Sequence, residues 1–245
     1  MPKNKFLTAI EEGDLQTVKT LLLNPDNNKF DMEGALITAA DYGHIEIVQF
    51  LIENNTDINH INSTKDTALM LAAEQGHENI VKILITNGAN VNYINKDYDT
   101  PLLLATKKGY IKIVNLLITN GTNINYINKN DDTALLLAAE QGHTKIVNLL
   151  ITNGANVNHK TKFGNAALTK AAKNGHLNVV DLLITNGADI NQINLRGETA
   201  LIRAQKHTKV EKILTKQHSL ESNKNEINTT NYNNKPSIKV TVLLY

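Results

Sequence analysis

The sequence has no cysteine, no tryptophan and only four serines. Without cysteine there is no disulfide framework and no thiolate nucleophile. The serines, Ser63, Ser219, Ser222 and Ser237, do not fall beside a histidine–carboxylate pair. Common catalytic and phosphate-binding signatures are missing as well: there is no G-x-x-x-x-G-K-[ST], no H-E-x-x-H and no G-x-S-x-G. The chain also lacks an excess of one charge. Its formal net charge is +1, which argues against a dedicated nucleic-acid binder. No stretch approaches the roughly 20 apolar residues that cross a bilayer. The opening residues, MPKNKFLTAIEEGD, have too short an apolar run before their acids for a signal peptide. These absences lead us to expect a non-enzymatic chain without cofactor, metal or membrane insertion. A cysteine-free composition fits a reducing compartment, so the cytoplasm is the expected location.

What is present is a period. Residues 67–92 read TALMLAAEQGHENIVKILITNGANVN, and close copies follow at 100–125, 133–158 and 166–191. Leu36, Leu69, Leu102, Leu135, Leu168 and Leu201 are spaced by 33 residues. A fixed period of this size marks a stacked array, in which each unit buries its apolar face only against its neighbours.

In chain order, residues 1–28 form a shortened, degenerate first unit with Phe6 in the anchor position and a short following loop at 24–28. Lys3, Lys5, Glu11, Glu12 and Asp14 suit the polar outer face of a terminal unit. The solenoid proper spans 29–218, with a first nearly full unit at 29–61 and regular units at 62–94, 95–127, 128–160 and 161–193. Thr67, Thr100, Thr133 and Thr199 are placed to cap the first helix of their units. Pro101 stands where a missing N–H costs nothing. Paired alanines such as Ala72-Ala73 allow neighbouring helices to approach closely. Gly76, Gly109, Gly142 and Gly175 end the first helix, and Gly88, Gly121, Gly154 and Gly187 end the second. Asn55 takes that place in unit 29–61. A sixth unit begins at Arg196 and decays where Thr208 replaces a glycine, leaving 209–216 as a capping helix with Lys206, Lys209 and Lys212 on its wet face. The segment 219–245 reads as a polar, unstructured linker followed by a short apolar tail, 236–245. That tail is a docking segment, an added edge strand or a genetic relic.

The pattern T-A/P-L-x-x-A-A-x-x-G-H followed by I-V-x-x-L-I-x-N-G-A-x-V-N resembles the ankyrin repeat over about residues 6–214. The resemblance implies an all-α solenoid of helix-turn-helix-hairpin units stacked in a curved array, with protein binding by the hairpin fingers and inner helices. Two departures stand out. The family's histidine after T-P-L is replaced by Ile37, Met70, Leu103, Leu136, Thr169 and Ile202. The fingertip glycine survives only as Gly164 and Gly197, with Lys65, Tyr98 and Asp131 elsewhere, so those turns use Asn/Asp chemistry or carry strain.

Two periodic registers bear on function. His44, His77, His143 and His176, with Tyr110 between them, are too far apart to share a metal, because neighbouring helices stand roughly 8–10 Å apart. Hydrogen bonding that fixes the loop between helices is the expected role. His60, Tyr93, Tyr126, His159 and Gln192 form a ladder along the fingers, flanked by Ile61, Ile94, Ile127, Lys160 and Ile193. Alternation sends the two ladders to opposite faces: one packs between fingers, and the other is free to meet a partner.

Recognition belongs to the positions that break the period. The candidate contact residues are Tyr42, Lys96, Asp97, Asp99, Lys107, Lys108, Lys129, Asn130, Asp132, Lys162, Phe163, Lys173 and Arg196. The later half of this surface is mildly basic with interleaved acids, which suits an acidic peptide or a solvated mixed face. The expected function is monomeric, non-catalytic binding of a partner protein. Abundant Asn, Lys and Ile suggest an AT-rich genome, and with the family's habits this points to an effector delivered into a host cell. The alternatives are an accessory or targeting subunit of a larger enzyme or toxin system, and a structural spacer.

Overall fold

The computed structural model describes residues 5–23 and 30–233, with side chains placed as far as residue 221. The expected loop at 24–28 and the tail at 236–245 lie outside the described residues. All regular structure within them is helical. The helices come in pairs: α1 (Lys5–Glu12) with α2 (Leu15–Leu22), α3 (Met32–Tyr42) with α4 (Ile45–Glu53), and α5 (Ala68–Gln75) with α6 (Glu78–Thr86). The series continues with α7 (Pro101–Lys108) and α8 (Ile111–Thr119), α9 (Ala134–Gln141) and α10 (Thr144–Thr152), α11 (Ala167–Lys173) and α12 (Leu177–Thr185), α13 (Ala200–Arg203) and α14 (Thr208–Asn233).

Odd-numbered helices stack on one another in one row and even-numbered helices in a second row. The odd row packs more closely, because its contacts are made by alanines: Ala39, Ala40, Ala72, Ala73, Ala138, Ala139, Ala171 and Ala172 are fully buried. A stack tighter on one side bends toward that side, so the odd row lines the inner curve. The even row contributes a repeating apolar stripe, such as Ile80, Val81 and Leu84, to one continuous core.

Caps set the helix boundaries as the sequence implies. Thr67, Thr100, Thr133 and Thr199 each accept a hydrogen bond from the N–H three residues on. Ala166 occupies the same position before α11 and makes no such bond. The fingertip residues Lys65, Tyr98 and Asp131 adopt φ of 63°, 61° and 60°, the left-handed region also used by Asn55 at 59°. That conformation costs a non-glycine residue roughly 1–2 kcal/mol. Asn62, Asn95 and Asn128 offset the strain, since each side-chain carbonyl accepts two N–H groups of its own fingertip.

The last helix departs from expectation. α14 does not stop at Lys216 but continues to Asn233, through the segment expected to be unstructured. Val210 and Leu214 dock its first turns into the core. Once a helix is nucleated, each further residue adds one hydrogen bond for one fixed residue, so a docked start lets a polar sequence continue as helix. Lys206, Lys209 and Lys212 are exposed, as expected.

Candidate functional site

Three sets of side chains lock one unit to the next, and what they leave over is the candidate site. The first set is the His/Tyr register. Unlike His143, which is expected in the same role but leaves its buried Nε2 unbonded, His44, His77 and His176 each donate from Nε2 to a carbonyl of the preceding pair, those of Glu11, Asp41 and Glu140, at 2.9 Å. The loop they fix therefore belongs to the previous unit. Each ring sits against that unit's glycine: a Cβ on Gly142 would lie 2.6 Å from His176 Nδ1. His207 does the same for Lys173, at 3.0 Å, displaced from the periodic position because α13 is short. The sequence register ends at His176, and His207 falls two residues short of its next position, Lys209.

The second set is an asparagine rail. Asn92 accepts the N–H of Asn123 at 2.8 Å and donates to the carbonyl of Gly121 at 3.3 Å. Asn59, Asn125 and Asn158 make the same two bonds to their next unit. Asn191, the last rung, is met by side chains of α14 instead: Glu221 accepts at 3.1 Å and His218 Nδ1 lies 3.0 Å from its carbonyl oxygen.

The third set ties fingers to the odd row. Asp99, 5% exposed, accepts from Lys107 and from Asn128 of the next finger. Asp132 accepts from Lys170 at 2.7 Å, and Lys170 also reaches Glu140 at 3.0 Å. Glu198 accepts from Asn194 and Arg203. The Asn194 hydrogen bond and the nearby Arg203 and Arg196 charges hold its carboxyl below the usual value. Burial opposes the charge on Lys170, and the two carboxylates outweigh it, so its ammonium stands above its ordinary value. Lys170 was not among the sequence candidates. Its signal was a break in the register Leu71, Leu104, Leu137.

These ties alter the candidate list. Asp99 is buried, and Lys107 and Asp132 are engaged with framework partners, so these positions serve the fold because their partners come from the adjacent helix or finger. Asp97 and Lys129 are exposed but pair at 2.9 Å across adjacent fingertips. The hydrogen bond and charge of Lys129 lower the Asp97 carboxyl, and Asp97 in turn raises Lys129. Lys108 lies 3.6 Å from Glu74. Tyr42 is 55% exposed with its ring stacked on His44. Lys96, Asn130, Lys162, Lys173 and Arg196 are exposed, and Lys162 Nζ stands 5.5 Å above the ring of Phe163, itself 58% exposed.

From Tyr93 onward the two finger ladders face opposite ways; at the first rung His60 is exposed and Ile61 half-buried. Tyr93, Tyr126 and His159 are half-buried and Gln192 is buried, with His159 and Gln192 donating to the preceding fingertip's carbonyls at 3.0 and 3.2 Å. Ile94, Ile127 and Ile193 face outward. Tyr98 is a further exposed aromatic, held at a fingertip by its left-handed backbone. Among the described residues no cluster of acidic and histidine side chains could hold a metal, and no helix is long and apolar enough to cross a membrane.

A family model described as ankyrin repeats (3 copies) matches residues 6–95, 87–161 and 149–231. The chain belongs to the ankyrin-repeat family. No curated protein is matched by the sequence. Ankyrin repeats in general are protein–protein interaction modules. In this one, periodic side chains and a few charges such as Asp99, Asp132 and Lys170 lock unit to unit, while other aperiodic side chains lie exposed on the fingers and odd-row helices.

Proposed function

We propose that this ankyrin-repeat protein is a monomeric, non-catalytic module that grips a partner protein across its fingertips and odd-row helices. The observation that carries the reading is the division of labour on that face. Its periodic polar groups are consumed by contacts between units, yet Tyr42, Tyr98, Phe163 and Leu195 remain 55% or more exposed. Large exposed aromatic and aliphatic groups on a rigid base are the kind that anchor interfaces, because little ordering entropy is lost on binding. The contact residues proposed are Tyr42, Lys96, Lys108, Asn130, Lys162, Phe163, Lys173 and Arg196. The setting proposed is the cytoplasm, that of a host cell if the protein acts as a delivered effector; the cysteine-free, Asn- and Lys-rich composition supports it.

The test is a parallel capture experiment. A Tyr42→Ala/Phe163→Ala/Arg196→Glu variant is compared with a Gln49→Ala/Lys82→Ala/Asn148→Ala variant on the even-row surface. Loss of partners from the first alone, with helical circular dichroism unchanged in both, supports the reading. Equal capture by both would leave a structural spacer as the better account.

A further inference from the structure

We infer that the tips of the fifth and sixth fingers, around Phe163 and Leu195, take an acidic peptide segment that carries an apolar side chain. The inference rests on the proposed use of this face for protein binding and adds the chemistry of the partner.

The argument begins with subtraction. The acids at this end of the face already have bonded partners. The Asp131 side chain accepts the Lys162 main-chain N–H at 2.9 Å. Asp132 and Glu140 share Lys170. Glu198 is held by Asn194 at 2.9 Å and Arg203 at 3.2 Å. Among the described residues no carboxylate is bonded to the exposed cations at the same end, Lys162, Lys173 and Arg196, although Arg196 stands close enough to Glu198 to lower its carboxyl. The sequence shows acids and bases interleaved; the fold gives these acids bonded partners within the array and leaves the three cations facing out.

Shape and rigidity point the same way. Phe163, Lys173, Leu195 and Arg196 border a notch of about 330 Å³ that Asn165, Asn194 and the Glu198–Arg203 pair also line. Leu195 N–H donates to the Phe163 carbonyl at 2.9 Å, and Asn194 donates to Asn165 at 3.1 Å, so the two tips are fastened together. A Cβ on Gly164 would come within 2.8 Å of the Asn194 Cα, which shows how closely the two backbones approach. Phe163 and Leu195, 58% and 76% exposed, are thus apolar groups on a fixed base, flanked by the exposed cations Lys162, Lys173 and Arg196. An apolar side chain flanked by carboxylates complements both features. A nucleic acid fits less well, because the notch offers no run of stacking aromatics.

The experiment selects from a random dodecapeptide library on the full chain and follows with fluorescence anisotropy of the selected peptides. The expected result is enrichment of Asp and Glu around an apolar residue, with affinity that falls as salt is raised. A Lys162→Glu/Lys173→Glu/Arg196→Glu variant should lose at least about tenfold in affinity, and Phe163→Ala about tenfold. A Lys162→Gln/Lys173→Gln/Arg196→Gln variant covers the case in which charge reversal impairs folding, and circular dichroism checks both. Selected peptides that are not acidic overturn the assignment. So do peptides whose binding survives those changes but fails with Tyr42→Ala/Lys108→Glu, although that result keeps the binding face itself. Retention of no peptide by the wild-type chain removes both readings. A single-stranded oligonucleotide that displaces the peptides and binds more tightly replaces the peptide with a nucleic acid.

Discussion

Lys170 Nζ lies 2.7 Å from Asp132 Oδ1, across the seam between the fourth and fifth units. The pairing answers a local substitution. Asn95 donates to Asp66 and Asn128 to Asp99, each bridging to the preceding finger. Thr161 stands where the next such asparagine belongs, and Asp132 takes its donor from Lys170 instead. Removing that donor in Lys170→Met leaves a carboxylate that is only 14% exposed without its ammonium. The expected loss is about 1–3 kcal/mol of stability, measured by urea unfolding near neutral pH.

The same pair has an alkaline signature. Lys170 is raised above its ordinary value of 10.5 in the folded chain. Its contribution is therefore complete below that value and disappears as pH climbs through the higher folded value. The stability gap between wild type and Lys170→Met should be constant from neutrality to about pH 10 and close above it. A gap that stays unchanged as pH is raised through the lysine range would contradict the assignment.

Ala166 begins α11 in the extended conformation that the capping threonines share, but it has no side-chain oxygen. Ala166→Thr should raise stability by about 0.5–2 kcal/mol, the usual contribution of an N-cap. A thermal melt reads the effect. No gain would mean that the site cannot admit the hydroxyl bond its counterparts make at Thr67, Thr100 and Thr133.

Gly142 and Gly154 both hold positive φ, 76° and 88°, but only Gly142 has a neighbour against its missing Cβ. Gly154→Ala should cost about 1–2 kcal/mol, the strain of a left-handed alanine. Gly142→Ala should cost more, because it also unseats the His176 ring and its bond to Glu140. Equal losses would show that the ring shifts freely.

Thr106 fills an alanine position of the odd row, fully buried and with its hydroxyl unbonded. Thr106→Val keeps the shape and removes the unsatisfied group, whose burial costs about 1–3 kcal/mol. The variant should unfold at higher temperature than wild type, and an unchanged or lowered transition would mean that the hydroxyl is solvated.

The 33-residue register of Leu69, Leu102, Leu135 and Leu168 was enough to give the solenoid, its helix ends and its capping residues, because each depends on chain-local spacing or on identical neighbours. Tertiary structure decided what became of the charged positions. Asp99 and Lys170 look alike in sequence to any solvated charge; only the approach of one unit to the next buries the first and gives the second its two carboxylates. The facing of the Tyr and Ile ladders, the displaced His207 and the helical continuation of α14 were settled in the same way. Those outcomes rest on distances between residues that the period sets far apart along the chain, and a linear pattern carries no information about which of two equivalent surfaces its neighbours will cover.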